Sequence, residues 1–101
     1  MTTKVLLKLY ITGHTPRSEQ AVANLRRICE QQLRDQFELD IIDILEQPEL
    51  AETERIIATP TLVRVSPPPA RRIIGDLSDT EKVLFGLSLH HITKYQGIGG
   101  K

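Results

Sequence analysis

Few residues in this chain are of types that do covalent chemistry, and their spacing argues against it. The single cysteine, Cys29, allows no intrachain disulfide and no metal site built from paired thiolates. His90 and His91 are adjacent, so they point apart on a strand and diverge by about 100° on a helix, a poor metal pair. Thr15 and Ser18 have no neighbouring base to make a nucleophile. Asp76 and Asp79 read as turn and helix-start residues rather than general acids, and His14 as a turn histidine beside a helix N-terminus. No catalytic residue, cofactor or metal is expected. What the sequence does concentrate is cation and proline: Arg71-Arg72 with Arg55 and Arg64 close by, and Pro60, Pro67, Pro68 and Pro69 between Ile56 and Ser78. By residue type alone the arginine pair is a solvated strand edge.

The elements that position these residues follow from periodicity. Val5 to Ile11 alternates as a strand with one partly polar side. Thr15 caps a helix, Pro16 suits its first position, and Ala21, Val22, Leu25, Ile28, Cys29 and Leu33 form one apolar stripe to about Arg34. Phe37 to Leu45 is a second strand, half exposed at first and buried at its end. Pro48 opens a short acidic helix over Glu49 to Arg55. The runs Thr61 to Val65 and Arg71 to Ile74, parted by Ser66-Pro67-Pro68-Pro69, make a hairpin. Ser78 to Glu81 reads as a capping box with Ser78 as the cap, so a last helix starts at Asp79. After Gly86 the pattern fits two periods: Val83, Leu84 and Leu87 continue a helix, while Leu87, Leu89 and His91 alternate as a strand. Such disagreement between local preference and a single fold marks strain or function.

A chain of 101 residues with 13 basic and 13 acidic side chains is one domain with no global field toward nucleic acid or anionic membranes. Four aromatic residues leave little for base stacking, and no 18-residue apolar segment predicts a membrane span. A cytoplasmic protein is expected. The element order predicts an α/β, thioredoxin-like fold, βαβ followed by ββα. Redox members of that fold place Cys-x-x-Cys between the first strand and first helix, where a thiolate gains from the helix N-terminus. Here that slot reads Gly13-His14-Thr15-Pro16-Arg17-Ser18, which disfavours a redox or glutathione-linked enzyme.

Four stretches carry a resemblance: Lys8 to Ser18 (KLYITGHTPRS), Ile41 to Glu52 (IIDILEQPELAE), Ile56 to Val65 (IIATPTLVRV) and Pro67 to Leu87 (PPPARRIIGDLSDTEKVLFGL). Together they resemble the KaiB family of clock proteins. The resemblance implies a non-enzymatic protein that binds the N-terminal ATPase ring of a KaiC-type partner, sequesters KaiA and competes with a SasA-type histidine kinase. It also implies two folds: a ground state of βαββααβ order, a homotetramer or dimer, and a scarce thioredoxin-like monomer that binds. On that view residues 1–45 are the shared half, 46–92 the half that switches and 93–101 a flexible tail. Arg55, Arg64, Arg71 and Arg72 become candidate docking residues. Pro60, Pro67, Pro68, Pro69, Gly86 and Ser88 become candidate fold-switch positions, with Gly86→Ala expected to favour the helical, binding-competent form. The chain departs from the clock pattern at Ser88, where Asp is common, and at Glu38 and Asp40, so a KaiC partner without KaiA, in a simpler timer or stress response, is the alternative expectation.

Overall fold

The computed structural model describes residues 4–34 and 36–88. Strand β1 spans Val5–Ile11. Helix α1, Pro16–Ile28, runs on into a π-helical turn, Cys29–Leu33, and leads to strand β2, Phe37–Asp43. Helix α2 is Pro48–Thr53, strands β3 and β4 are Thr61–Ser66 and Arg71–Ile74, and helix α3 is Thr80–Gly86. This is the element order expected from periodicity. The expectations for Leu89, His90, His91 and residues 93–101 lie outside the described residues.

The sheet runs β2-β1-β3-β4. β1 and β2 pair in parallel from Val5 opposite Phe37 to Ile11 opposite Asp43, as a strand–helix–strand crossover requires. β3 is antiparallel to both β1 and β4. Alternation along the strands then builds two cores. Val5, Leu7, Leu9 and Ile11 pack with Leu62 under Ala21, Leu25 and Ile28 of α1, Cys29 of the π turn, Val83 and Leu84 of α3, and Leu87 just past it. The opposite face holds a smaller cluster, Tyr10, Ile42 and Val63, covered by Ile44, Leu50 and Ile56. Among the described residues no helix is long and apolar enough to cross a membrane.

β3 runs one residue further than expected, to Ser66, and three other boundaries differ from the sequence reading for a local reason. β2 stops at Asp43 rather than Leu45, because the Asp43 carboxylate turns to accept from the backbone N–H of Gly13 at 2.9 Å and of Leu45 at 3.0 Å. Leu45, expected inside, is 65% exposed. The cap of α3 is Asp79 rather than Ser78. Asp79 Oδ1 accepts from Lys82 N at 3.2 Å, while Ser78 N donates to Asp76 Oδ1 at 3.1 Å in the preceding turn. Finally, α2 ends at Thr53, two residues short of Arg55, since Arg55 adopts a left-handed backbone, φ 57°.

Candidate functional site

The slot that carries thiols in redox relatives of this architecture is built here as a structural turn. Gly13 takes φ 59°, and Thr15 caps α1 by accepting from Ser18 N at 3.1 Å. Buried Ser18 receives Thr12 N–H and donates back to the Thr12 carbonyl, both at 3.3 Å. Thr12 and Thr59 join their hydroxyls at 2.6 Å, tying the turn to the loop before Pro60. The two N–H donors on Asp43 hold its carboxyl below the usual carboxylate range. His14 meets Glu19 at 3.1 Å on the exposed surface. Cys29 lies elsewhere, fully buried on the helix stripe, and burial pushes its thiol up to about 12. A thiol so placed is a packing group, because the thiolate is the reactive form. No cluster of three metal-ligating side chains occurs among the described residues.

The four candidate docking arginines gather on and beside the hairpin, and the structure gives them unlike environments. Arg55, Arg71 and Arg72 are exposed. Arg64, opposite Arg71 in the β3–β4 ladder, is only 3% exposed. Its Nη2 donates to the Pro69 carbonyl at 2.8 Å, its Nε has no hydrogen-bond partner among the described residues, and desolvation, then Arg71, pushes its pKa down. A cation in that position closes the proline turn against β3 at an energetic cost. Arg72 lies on the other face, opposite Val63, where its guanidinium donates to the backbone carbonyls of Glu54 and Arg55, the latter at 3.1 Å. Burial and then Glu54 hold the Tyr10 hydroxyl above its ordinary pKa beneath this contact.

The candidate switch positions sit at turns and ends. Pro60 is buried at the entry to β3, and Pro67, Pro68 and Pro69 form the hairpin turn; the Thr59–Pro60, Ser66–Pro67 and Pro68–Pro69 bonds are cis. Gly86 is the last residue of α3, and a Cβ there would meet Ile73 Cδ1 at 3.1 Å, the end of a side chain able to shift. Ser88 takes φ 56° just past the helix and donates its N–H to the Phe85 carbonyl at 3.0 Å. That is the left-handed cap position glycine usually fills. Sequence reasoning missed three contacts. Asp43 as a pin on Gly13 had a weak signal, an acid at a strand end facing a glycine turn. The Arg72 contact with Glu54 and Arg55 had none. Neither had Asn24, which donates from α1 to the Asp76 carbonyl at 2.9 Å beside Leu77, itself left-handed at φ 64°.

Comparison with known proteins adds to this geometry. The family model described as KaiB domain matches residues 8–89. The chain is 57% identical over 86 residues to circadian clock protein KaiB3 of Synechocystis sp., covering 85% of this chain and 84% of that protein. It is 56% identical over 84 residues to the circadian clock oscillator protein KaiB of Prochlorococcus marinus, covering 83% and 80%. Among solved structures, the N-terminal domain of Synechococcus elongatus SasA superposes with a TM-score of 0.70 at 21% identity, covering 96% of this chain and 87% of that one. Mitochondrial thioredoxin 3 of Saccharomyces cerevisiae gives a TM-score of 0.68 at 16% identity, covering 85% and 78%. The fold is thioredoxin-like.

Proposed function

The chain belongs to the KaiB family, and from that premise we propose that it regulates a bacterial Kai clock or timer by binding the N-terminal ATPase ring of a KaiC-type partner. The observation that carries this reading is the family match over residues 8–89, which spans every described element beyond the first residues of β1. It acts in the cytoplasm by docking rather than by turnover. The thiol-free β1–α1 turn and the buried, high-pKa Cys29 support that half of the proposal. In this reading the thioredoxin-like arrangement is the binding-competent form, reached from an oligomeric ground state of βαββααβ order. A partner that binds only the scarce form draws the population across. Arg55 and Arg71 meet the partner, while Arg64 and Arg72 hold the hairpin that presents them. Bound in this way the protein excludes a SasA-type kinase from the same ring and offers a surface to KaiA.

The exposed carboxylates Glu38 and Asp40 on edge strand β2 favour a second form of the proposal, in which the KaiC-type partner works without KaiA. Both forms meet the same test. Mixed with a KaiC-type ATPase ring and followed by size-exclusion chromatography over hours, the protein is expected to co-elute slowly and to leave its own oligomer peak for a ring-bound monomer. Absence of co-elution with any such ring at micromolar concentrations overturns the proposal. Addition of KaiA then separates the two forms.

A further inference from the structure

The end of α2 is a helix stop built around the wrong residue for it. Arg55 N donates to the Glu52 carbonyl at 3.2 Å and Ile56 N to the Ala51 carbonyl at 2.8 Å, the paired bonds of a Schellman cap. Leu50 and Ile56 hold the positions whose apolar contact accompanies such caps, and both pack against the Tyr10, Ile42 and Val63 cluster. The left-handed position of this motif normally takes glycine, because a Cβ there crowds the backbone; here it is Arg55, at φ 57°. Two further carbonyls at the cap, Glu54 and Arg55, receive the guanidinium of Arg72 from β4, 18 and 17 residues on. An arginine suits this task, since its planar fork reaches two acceptors at once and a lysine ammonium does not hold that geometry.

We propose that Arg55 and Arg72 form an opposed joint that sets how much of the chain occupies this arrangement: Arg55 strains the α2–β3 connection, and Arg72 clasps it shut by joining α2 to β4. Arg72 is thereby a positioning residue that acts on the partner-binding form through the backbone of α2. The inference deepens the two-state reading above and rests on it for its consequence, though the joint itself does not. Both groups lie in the half expected to rearrange, and the clasp exists only when β4 runs beside β3 with α2 across the opposite face. Between two folded forms the entropy of ordering a glycine largely cancels, so their ratio reports the strain at Arg55 more directly than unfolding does.

The test uses full-length protein carrying Arg72→Met, Arg72→Lys, Arg55→Gly, or Arg55→Gly with Arg72→Met. Two-dimensional NMR reads the fraction in the thioredoxin-like form, and amide exchange reads Ile56, whose N–H closes the cap. Binding is not the readout, because Arg55 is itself a proposed contact. Arg72→Met is expected to lower the fraction about fivefold and Arg72→Lys to fail to restore it. Arg55→Gly is expected to raise the fraction about fivefold and to rescue Arg72→Met in the double variant. If the chain populates one form only, the two-state reading falls and Ile56 exchange decides the joint: about fivefold faster in Arg72→Met, slower in Arg55→Gly, with β1 and β2 amides unmoved. The joint is overturned if both variants leave fraction and exchange within twofold of the parent, or if Arg55→Gly moves either in the same direction as Arg72→Met.

Discussion

The two halves of this molecule are held together by different means. From β1 to β2, seven-residue strands pair in unbroken parallel register, and a 13-residue helix with its π turn sets Ala21, Leu25, Ile28 and Cys29 on them, each at most 1% exposed. From α2 to α3 the elements are six, six, four and seven residues long. Helices of that length are not stable alone and depend on what they dock against. Their connections are also strained. Among the described residues, Arg55, Leu77 and Ser88 are left-handed without being glycine in the second half, against Arg34 in the first. Such residues cost on the order of 1 kcal/mol or more each. The second half further contains the buried Arg64 guanidinium with its unpaired Nε. The first half is a platform, and the second is fastened to it by apolar docking and side-chain clasps.

Cavity variants break or sharpen this comparison most strongly. Leu25→Ala and Leu84→Ala each empty a side chain at most 1% exposed, and each is expected to cost about 2–5 kcal/mol in this arrangement. In urea unfolding Leu25→Ala shows the full loss. Leu84→Ala shows less, because the second half can leave α3 while the platform persists, and the NMR signals of β1 and β2 then outlast those of β3 and β4. Equal losses with a single transition mean that the halves form one cooperative unit. The next effect is of opposite sign. Arg64→Met keeps the volume and removes a buried cation that has no carboxylate partner among the described residues, so it is expected to leave stability unchanged or raise it by about 1 kcal/mol. A loss of several kcal/mol shows instead that the bond to the Pro69 carbonyl outweighs desolvation.

Ser88→Gly is a smaller change. Relief of the left-handed cap is expected to stabilise α3 by about 0.5–1 kcal/mol, read as slower exchange of the Leu87 amide, which bonds to the Val83 carbonyl at 3.0 Å. Gly86→Ala differs, because its new methyl group has to displace Ile73. The smallest effect is pH-dependent and belongs to the platform. The depressed pKa of Asp43 means that the folded state favours its charged form. Its contribution is therefore present above the ordinary carboxylate pKa and is lost as pH falls through the depressed folded value. Asp43→Asn is expected to lower stability at neutral pH and to flatten the acid limb of the unfolding curve; an unchanged acid limb removes Asp43 as the pin between β2 and the first turn.

Most of the fold was legible in the sequence, for reasons that are local. Alternation in Val5–Ile11, the stripe from Ala21 to Leu33, proline at the first position of α1 and α2, and the proline break between β3 and β4 each follow from interactions within a few residues. Those interactions act the same way wherever the segment is placed. The missing thiol at the first turn and the burial of Cys29 were equally readable, since both are matters of residue type and helical spacing. The ends of elements were not. β2 stops at Asp43 because a carboxylate finds the N–H of Gly13, 30 positions away. The cap of α3 moves from Ser78 to Asp79 because Asp76 captures the Ser78 N–H. The arginines divide the site in the same way. Sequence alone determined that four cations gather around one proline hairpin. Only the tertiary structure decided that Arg64 is buried, that Arg72 is bound to the end of α2, and that Arg55 and Arg71 face outward, because the acceptors that separate them, the Pro69, Glu54 and Arg55 carbonyls, reach those guanidinium groups only when the hairpin folds and lies beside α2.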